Sequence, residues 1–243
     1  MNPPFCHVSF ENHPLGPYRR EQLVEDWGHI EWAELYDRAF VVTDGKTPGR
    51  RVLRVAYPKG SVGPQQGGIS FVVTLPCVAK CRLEYRVKFE PGFDFRRGGK
   101  LPGLSSGGGR FTGGVKPEKG EGWSARFMWR ENGQACVYLY SVDMPGRWGE
   151  DLPLGAVFVP DRWYKIAQRI RLNGPQDRNG LMEIWLDDRK VLSRDNIRYR
   201  MGEQGWIDSF YFSTFHGGHA SEWAPKTDSF ALFDDFVIRL EEI

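Results

Sequence analysis

The chain has 243 residues, long enough for one all-β domain with a sizeable core, and its 29 glycines, 16 prolines and 14% aromatics favour short strands joined by tight turns over long helices. A net charge of +2 is too small to imply a nucleic-acid partner, and no run approaches the roughly eighteen apolar residues of a membrane span. The four cysteines, Cys6, Cys77, Cys81 and Cys136, lack the paired short spacings of a structural zinc site, so no metal is expected from them.

An even cysteine count is compatible with disulfides in a secreted protein, although the opening MNPPFCHVSF shows no basic segment followed by an apolar run and hence no visible signal peptide. No linker, low-complexity stretch or repeat divides the chain, and residues 1–243 read as a single domain.

In chain order, residues 22–38, QLVEDWGHIEWAELYDR, carry mixed helical periodicity and are read as one short helix or turn segment, the only plausible helix of any size. From Arg51 onward the pattern is strands: Arg51 to Tyr57, Gly68 to Leu75, Cys81 to Phe89, Ser124 to Arg130, Ala135 to Val142, Trp163 to Leu172, Leu181 to Leu186, Ser209 to Phe215 and Ser229 to Leu240. Short alternating strands punctuated by turn residues predict a jelly-roll β-sandwich of two antiparallel sheets. Within Arg82 to Phe89, Leu83, Tyr85, Val87 and Phe89 share one face, predicted as core. Arg82, Glu84, Arg86 and Lys88 share the other, read as solvated in preference to a ligand groove.

Residues 93–123, FDFRRGGKLPGLSSGGGRFTGGVKPEKGEGW, read as a long glycine-rich loop. Arg96, Arg97, Lys100 and Arg110 make it basic, and its glycines allow the backbone to approach a bulky anionic ligand. No strand-then-helix context follows, which argues against a nucleotide cradle.

The hairpin GWSARFMWRENGQACVYLYSV, residues 122–142, is the most informative segment. A two-residue Asn132-Gly133 loop would mix polar and apolar residues on both faces. A three-residue loop, with Glu131 and Asn132 in a type I turn and Gly133 left-handed, sorts them. Ser124 then faces Tyr140, Arg126 faces Tyr138 and Met128 faces Cys136. Ala125, Phe127 and Trp129 oppose Leu139, Val137 and Ala135 on the core side. A guanidinium, a hydroxyl and two phenols are thereby gathered within cross-strand reach, about 5 Å between facing Cβ atoms. The competing interpretation is an ordinary outer face on which Arg stacks on Tyr.

At GGKLPGL (98–104), WSARFMW (123–129) and VYLYSVD (137–143), with further likeness at YPKGSVGPQQGG (57–68) and FYFSTFHGGHASEWAP (210–225), the sequence resembles polysaccharide lyase family 14, which includes a chlorovirus lyase acting on glucuronic acid chains and molluscan alginate lyases. The resemblance spans most of the chain; the first fifty residues and 105–121 carry little of it. It implies a jelly roll whose concave sheet binds the polymer, with Lys100, Ser124, Arg126, Tyr138 and Tyr140 as the functional set.

The implied chemistry is β-elimination on a 1,4-linked polyuronate, glucuronan first and alginate second. The proton at C5 of a uronate is weakly acidic, so Arg126 or Lys100 is expected to neutralise the adjacent carboxylate. Tyr140 or Tyr138, its pKa lowered by Arg126 and Lys100, is expected to move protons, with Lys100 as the rival base. Ser124 is read as a hydrogen-bonding residue and not a nucleophile. Hydrolysis needs two carboxylic residues flanking the bond, and the hairpin face has none.

Gln65, Gln66, Arg97, Arg110 and His216 are expected to contact sugar. His216 and His219 form H-x-x-H but are read as polar-contact or surface residues, not a zinc pair. No cofactor is required, with a structural calcium at Asp234 and Asp235 set against solvated carboxylates as the simpler reading. The partner is an acidic polysaccharide, the state a monomer, and the location extracellular, inferred from the substrate class. The alternative from another class is a non-catalytic jelly-roll module that only binds an acidic glycan.

Overall fold

A computed structural model describes residues 3–241. The strands run β1 Cys6–Val8, β2 Gly16–Pro17, β3 Ile30–Glu34, β4 Ala39–Thr43, β5 Arg51–Tyr57, β6 Ile69–Val78, β7 Lys80–Phe89 and β8 Gly98–Ser106. They continue as β9 Trp123–Arg130, β10 Gln134–Tyr140, β11 Glu150–Val157, β12 Trp163–Arg171, β13 Gly180–Leu186, β14 Arg189–Ile197, β15 Ile207–Thr214 and β16 Ser229–Glu241. One sheet has the order β14-β13-β12-β7-β16-β5-β4-β2, with β1 also on β16, and the other has β11-β10-β9-β8-β15-β6-β3. Every strand pairing within each sheet is antiparallel among the described residues, and the two sheets form the jelly-roll β-sandwich expected from the sequence.

The core lies where the two inner faces meet. Leu83, Tyr85, Val87 and Phe89 of β7 and Ala125, Phe127 and Trp129 of β9 are all buried in it, as their alternation requires. The opposite row of β7 lies on the outer face of its own sheet. There Arg82 pairs with Glu84, Arg86 with Asp235 and Lys88 with Asp44. The row lies on the sheet that does not carry the hairpin, and it is solvated as expected only in part: Arg82, Glu84 and Arg86 are half-buried, whereas Lys88 is buried against Asp44.

The helix predicted over 22–38 is only half present: α1 spans Arg20–Trp27, and Ile30–Glu34 is the edge strand β3. Gly28, at φ 74°, closes the helix by returning its N–H to the Val24 carbonyl, and Cβ-free backbone makes that left-handed turn cheap. The larger correction is at 93–123, where the glycine-rich segment is not one loop.

Residues 98–106 form β8, a central strand between β9 and β15. Glycine is needed there for proximity: a Cβ on Gly103 would stand 2.2 Å from the Ala125 carbonyl oxygen. The expected hairpin register is present, with Ser124 opposite Tyr140, Arg126 opposite Tyr138 and Met128 opposite Cys136. Its three-residue loop differs in detail, since Asn132 (φ 56°) is itself left-handed alongside Gly133 (φ 78°). Asn tolerates that region, and the loop length, which sets the register, is unaffected.

No helix among the described residues is long and apolar enough to cross a membrane. The four cysteines are free thiols.

Candidate active site

The outer face of the seven-stranded sheet carries a small second cluster of buried side chains, Met128, Cys136, Tyr138, Tyr140 and Met144, separate from the main core. Beside it, β8 places Lys100 opposite Met128. The Lys100 Nζ lies 2.8 Å from Met128 Sδ and 3.7 Å from the centroid of the Tyr138 ring. Tyr138 and Tyr140, two residues apart on β10, meet edge to face at 5.4 Å.

Arg126 is opposite Gly103 on one side and Tyr138 on the other. Because Gly103 has no side chain, the guanidinium lies across it toward β15, donating to Ser213 Oγ at 3.0 Å and sitting 4.9 Å over the Tyr211 ring. Its other terminal nitrogen donates to the Thr112 hydroxyl, and Nε has no partner.

Arg126 is 1% exposed and Tyr140 not at all, although both point away from the core. The cover is the segment 107–122. Ser124 Oγ donates to the Phe111 carbonyl at 2.6 Å, Thr112 caps Arg126, and the Gly114 N–H donates to the Tyr140 hydroxyl at 3.1 Å. Ser124 thus fastens this strap and has no histidine beside it in these contacts.

The electrostatics are unusual for basic groups withdrawn from water. Neither Lys100 nor Arg126 has a carboxylate partner among the described residues, whereas Arg130 at the margin pairs with Asp151 of β11. Burial pushes the Lys100 ammonium well below the ordinary lysine value, and Arg126 and Arg130 push it further down. Burial also lowers Arg126, opposed by the phenols of Tyr211, Tyr140 and Tyr138.

Tyr138 moves opposite to the expectation from sequence. Burial and the adjacent Tyr140 raise its pKa, and the nearby Arg130 offsets only part of this, so the phenol stays protonated at neutral pH. Burial and Asp151 push the Cys136 thiol up to about 11. Asp151 is the one carboxylate that reaches this cluster through the contacts described, and it is engaged by Arg130.

The five residues expected to act together are therefore brought together; the five expected sugar contacts are not. His216 is 1% exposed and faces the core, stacked on Phe93 at 5.6 Å with Nε2 2.7 Å from the Asp94 carbonyl oxygen. Burial lowers its pKa to about 4, so it is a neutral core histidine and not a sugar contact.

Gln65 and Gln66 are exposed on a single helical turn before β6. Gln66 accepts from the Val62 N–H, and the Gln65 carbonyl accepts from Arg38. Arg97 is exposed and faces Glu222 at 3.6 Å. Arg110 opens onto a cavity of about 660 Å³ shared with Trp32, Glu31 and Asp208. None of these four touches the Lys100 and Arg126 cluster among the described contacts.

Asp234 and Asp235, the pair considered for calcium, sit at the β16 bulge and both receive the Arg50 guanidinium. The residues that sequence reasoning missed are Thr112, Ser213 and Tyr211. The alternation in FYFSTF places Tyr211 and Ser213 on one face, but which face it is depends on pairing with β8.

A polysaccharide lyase 14 family profile matches residues 45–236. The chain belongs to this family, and so to the polysaccharide lyases. A search of curated protein sequences finds no match. Among solved structures, the alginate lyase Aly36B is 27% identical, with a TM-score of 0.84 over 98% of each chain. The alginate lyase of Aplysia kurodai (23% identity, TM-score 0.84, 99% of this chain and 100% of that one) shares the fold. So does alginate lyase vAL-1 from Chlorella virus (24%, TM-score 0.73, 87% and 92%).

Proposed function

We propose that this lyase cleaves a 1,4-linked polyuronate by β-elimination, alginate ahead of glucuronan. The observation that carries it is the buried Arg126 guanidinium, which has no anionic partner among the described residues, with Lys100 and two tyrosines beside it. A buried charge left unpaired is costly, and a uronate carboxylate supplies the missing partner. In this reading the carboxylate displaces the Thr112 hydroxyl from Arg126, which requires the 107–122 strap to lift.

Arg126 then holds the charge that develops on that carboxylate as the C5 proton leaves. Lys100, whose lowered pKa favours the free amine over the ammonium, takes the proton as that amine. The electron pair forms the C4–C5 double bond, the C4–O4 bond breaks, and the Tyr138 phenol, kept protonated by its raised pKa, donates to the leaving oxygen. Tyr140 supports Tyr138, and Ser124 holds the strap through Phe111. The chain acts as an extracellular monomer in this reading.

The preference for alginate over the glucuronan favoured by the sequence resemblance rests on the relatives. The 27%-identical relative is an alginate lyase, and structures of that enzyme with alginate oligosaccharides carry Ala in place of a Lys and a Tyr, or of a Lys and a Met. The latter two lie 28 positions apart, the separation of Lys100 and Met128. A glucuronan lyase from Trichoderma reesei shares only 12% identity at a TM-score of 0.58.

The test is the ultraviolet absorbance of unsaturated uronate on polymannuronate, polyguluronate and polyglucuronate, repeated with Tyr138→Phe. Wild type is expected to act on an alginate block and Tyr138→Phe to lose about 10²-fold or more in kcat. Binding without any absorbance change would favour the non-catalytic module instead.

A further inference from the structure

We propose that Arg147 and Trp148 form an outer subsite for a uronate ring at the rim beside Tyr140; this rests on the polyuronate reading above. The segment 141–149 is anchored to the reacting centre at two points. Met144, 2% exposed, packs in the cluster with Tyr138 and Tyr140. Gly149 lies so close to Tyr140 that a Cβ on it would stand 2.6 Å from the ring. Between these anchors the tip turns outward: Trp148 is 54% exposed, and the Arg147 guanidinium carbon is 5.0 Å from its ring centroid.

The pair also abuts the strap. A Cβ on Gly114, whose N–H donates to the Tyr140 hydroxyl, would meet Arg147 Nε at 3.0 Å and the Trp148 ring at 3.2 Å. The platform is therefore in contact with the same strap residue that covers the tyrosine.

Its chemistry is unsatisfied in two complementary ways. Among the described residues Arg147 has no carboxylate partner, while the nearby acids are taken: Asp143 by Arg198 and Arg178, and Glu150 by Arg194. The indole leaves a broad apolar face in water, and an aromatic ring with a polar edge suits a ligand that is apolar on one face and wet at its rim. A uronate ring matches both, laying its C–H face on the indole and its carboxylate on the guanidinium, which is shaped for two-point carboxylate binding. Both side chains are surface groups, so their loss leaves the packed core intact.

The experiment compares wild type with Trp148→Ala, Arg147→Ala and Arg147→Lys on alginate blocks and on a size series of oligosaccharides. Two readouts are taken: steady-state kinetics, and affinity electrophoresis in polyuronate gels, which needs no turnover. Trp148→Ala and Arg147→Ala are expected to raise KM for the polymer about tenfold with kcat within about twofold, and to be retarded less in the gel. Arg147→Ala is also expected to weaken the salt dependence of KM, with Arg147→Lys restoring part of it.

A wild-type KM, product-length distribution and gel retardation in both alanine variants would overturn the subsite and leave the lyase reading standing. A wild-type protein that binds but does not cleave would overturn the lyase reading alone, and the gel would still judge the subsite. A wild type that neither cleaves nor binds polyuronate would overturn both.

Discussion

Each sheet of the sandwich withdraws a lysine and an arginine largely from water, and the two pairs are treated in opposite ways. On the nine-stranded sheet, Lys88 is 3% exposed and its ammonium is 2.5 Å from Asp44 Oδ1, with the Trp163 indole N–H donating to the same oxygen. Arg50 likewise spans Asp234 and Asp235. On the seven-stranded sheet, Lys100 and Arg126 rest on methionine, tyrosine and hydroxyl groups and lack any carboxylate among the described residues. A basic side chain that already has its anion contributes to holding the fold; in the function proposed above, Arg126 is left open to an anion from outside and Lys100 to working as a free amine. The local sequences do not differ in kind; the difference lies in what the neighbouring strands supply.

Exchanging the two kinds of cation is the strongest way to break this comparison. Lys100→Ala and Arg126→Ala are expected to fold with near-normal melting temperatures while losing about 10²- to 10⁴-fold in kcat/KM. Lys88→Ala leaves Asp44 buried without its partner, and it is expected to lose about 3–5 kcal/mol of stability while keeping its activity below the transition. Melting curves beside the absorbance assay check both, and a large stability loss in Lys100→Ala would cancel the distinction.

Titration separates the groups further. The His216 pKa of about 4 lies below its unfolded value, so its contribution is complete above about pH 6.5 and is lost as pH falls through 4, roughly 3 kcal/mol in all. Melting temperature should fall over that window in wild type and less steeply in His216→Gln. Lys100 is also depressed, so the unfolded chain binds more protons between the folded and unfolded pKa values and stability rises with pH there. The same sign applies to catalysis by a neutral amine, and kcat/KM should climb through the lowered pKa and lose that limb in Lys100→Arg.

The smallest expected effect is at Arg97. Its exposed pairing with Glu222 should be worth under about 0.5 kcal/mol, and Arg97→Ala should leave KM for the polymer unchanged. A raised KM would bring the 93–97 segment back into the groove.

The sequence by itself determined the central hairpin. Alternation with a period of two and a three-residue loop leave one register that sorts the faces, and this was enough to collect Ser124, Arg126, Tyr138 and Tyr140 on one side of β9 and β10. The family motifs added Lys100, whose neighbours in space are not its neighbours in the chain. Only the tertiary structure decided that 98–106 is a strand, because its partner β15 lies about a hundred residues away and glycine at 103 reads locally as loop, not as a close approach of backbones.

That same long-range pairing turned Tyr211 and Ser213 toward Arg126 and His216 into the aromatic core, and it directed the 107–122 strap across the site. Faces within a hairpin are fixed by contacts a few residues apart, which a local pattern encodes. Faces between strands distant in sequence are set by burial shared among them, which appears only once the sheets have closed on one another.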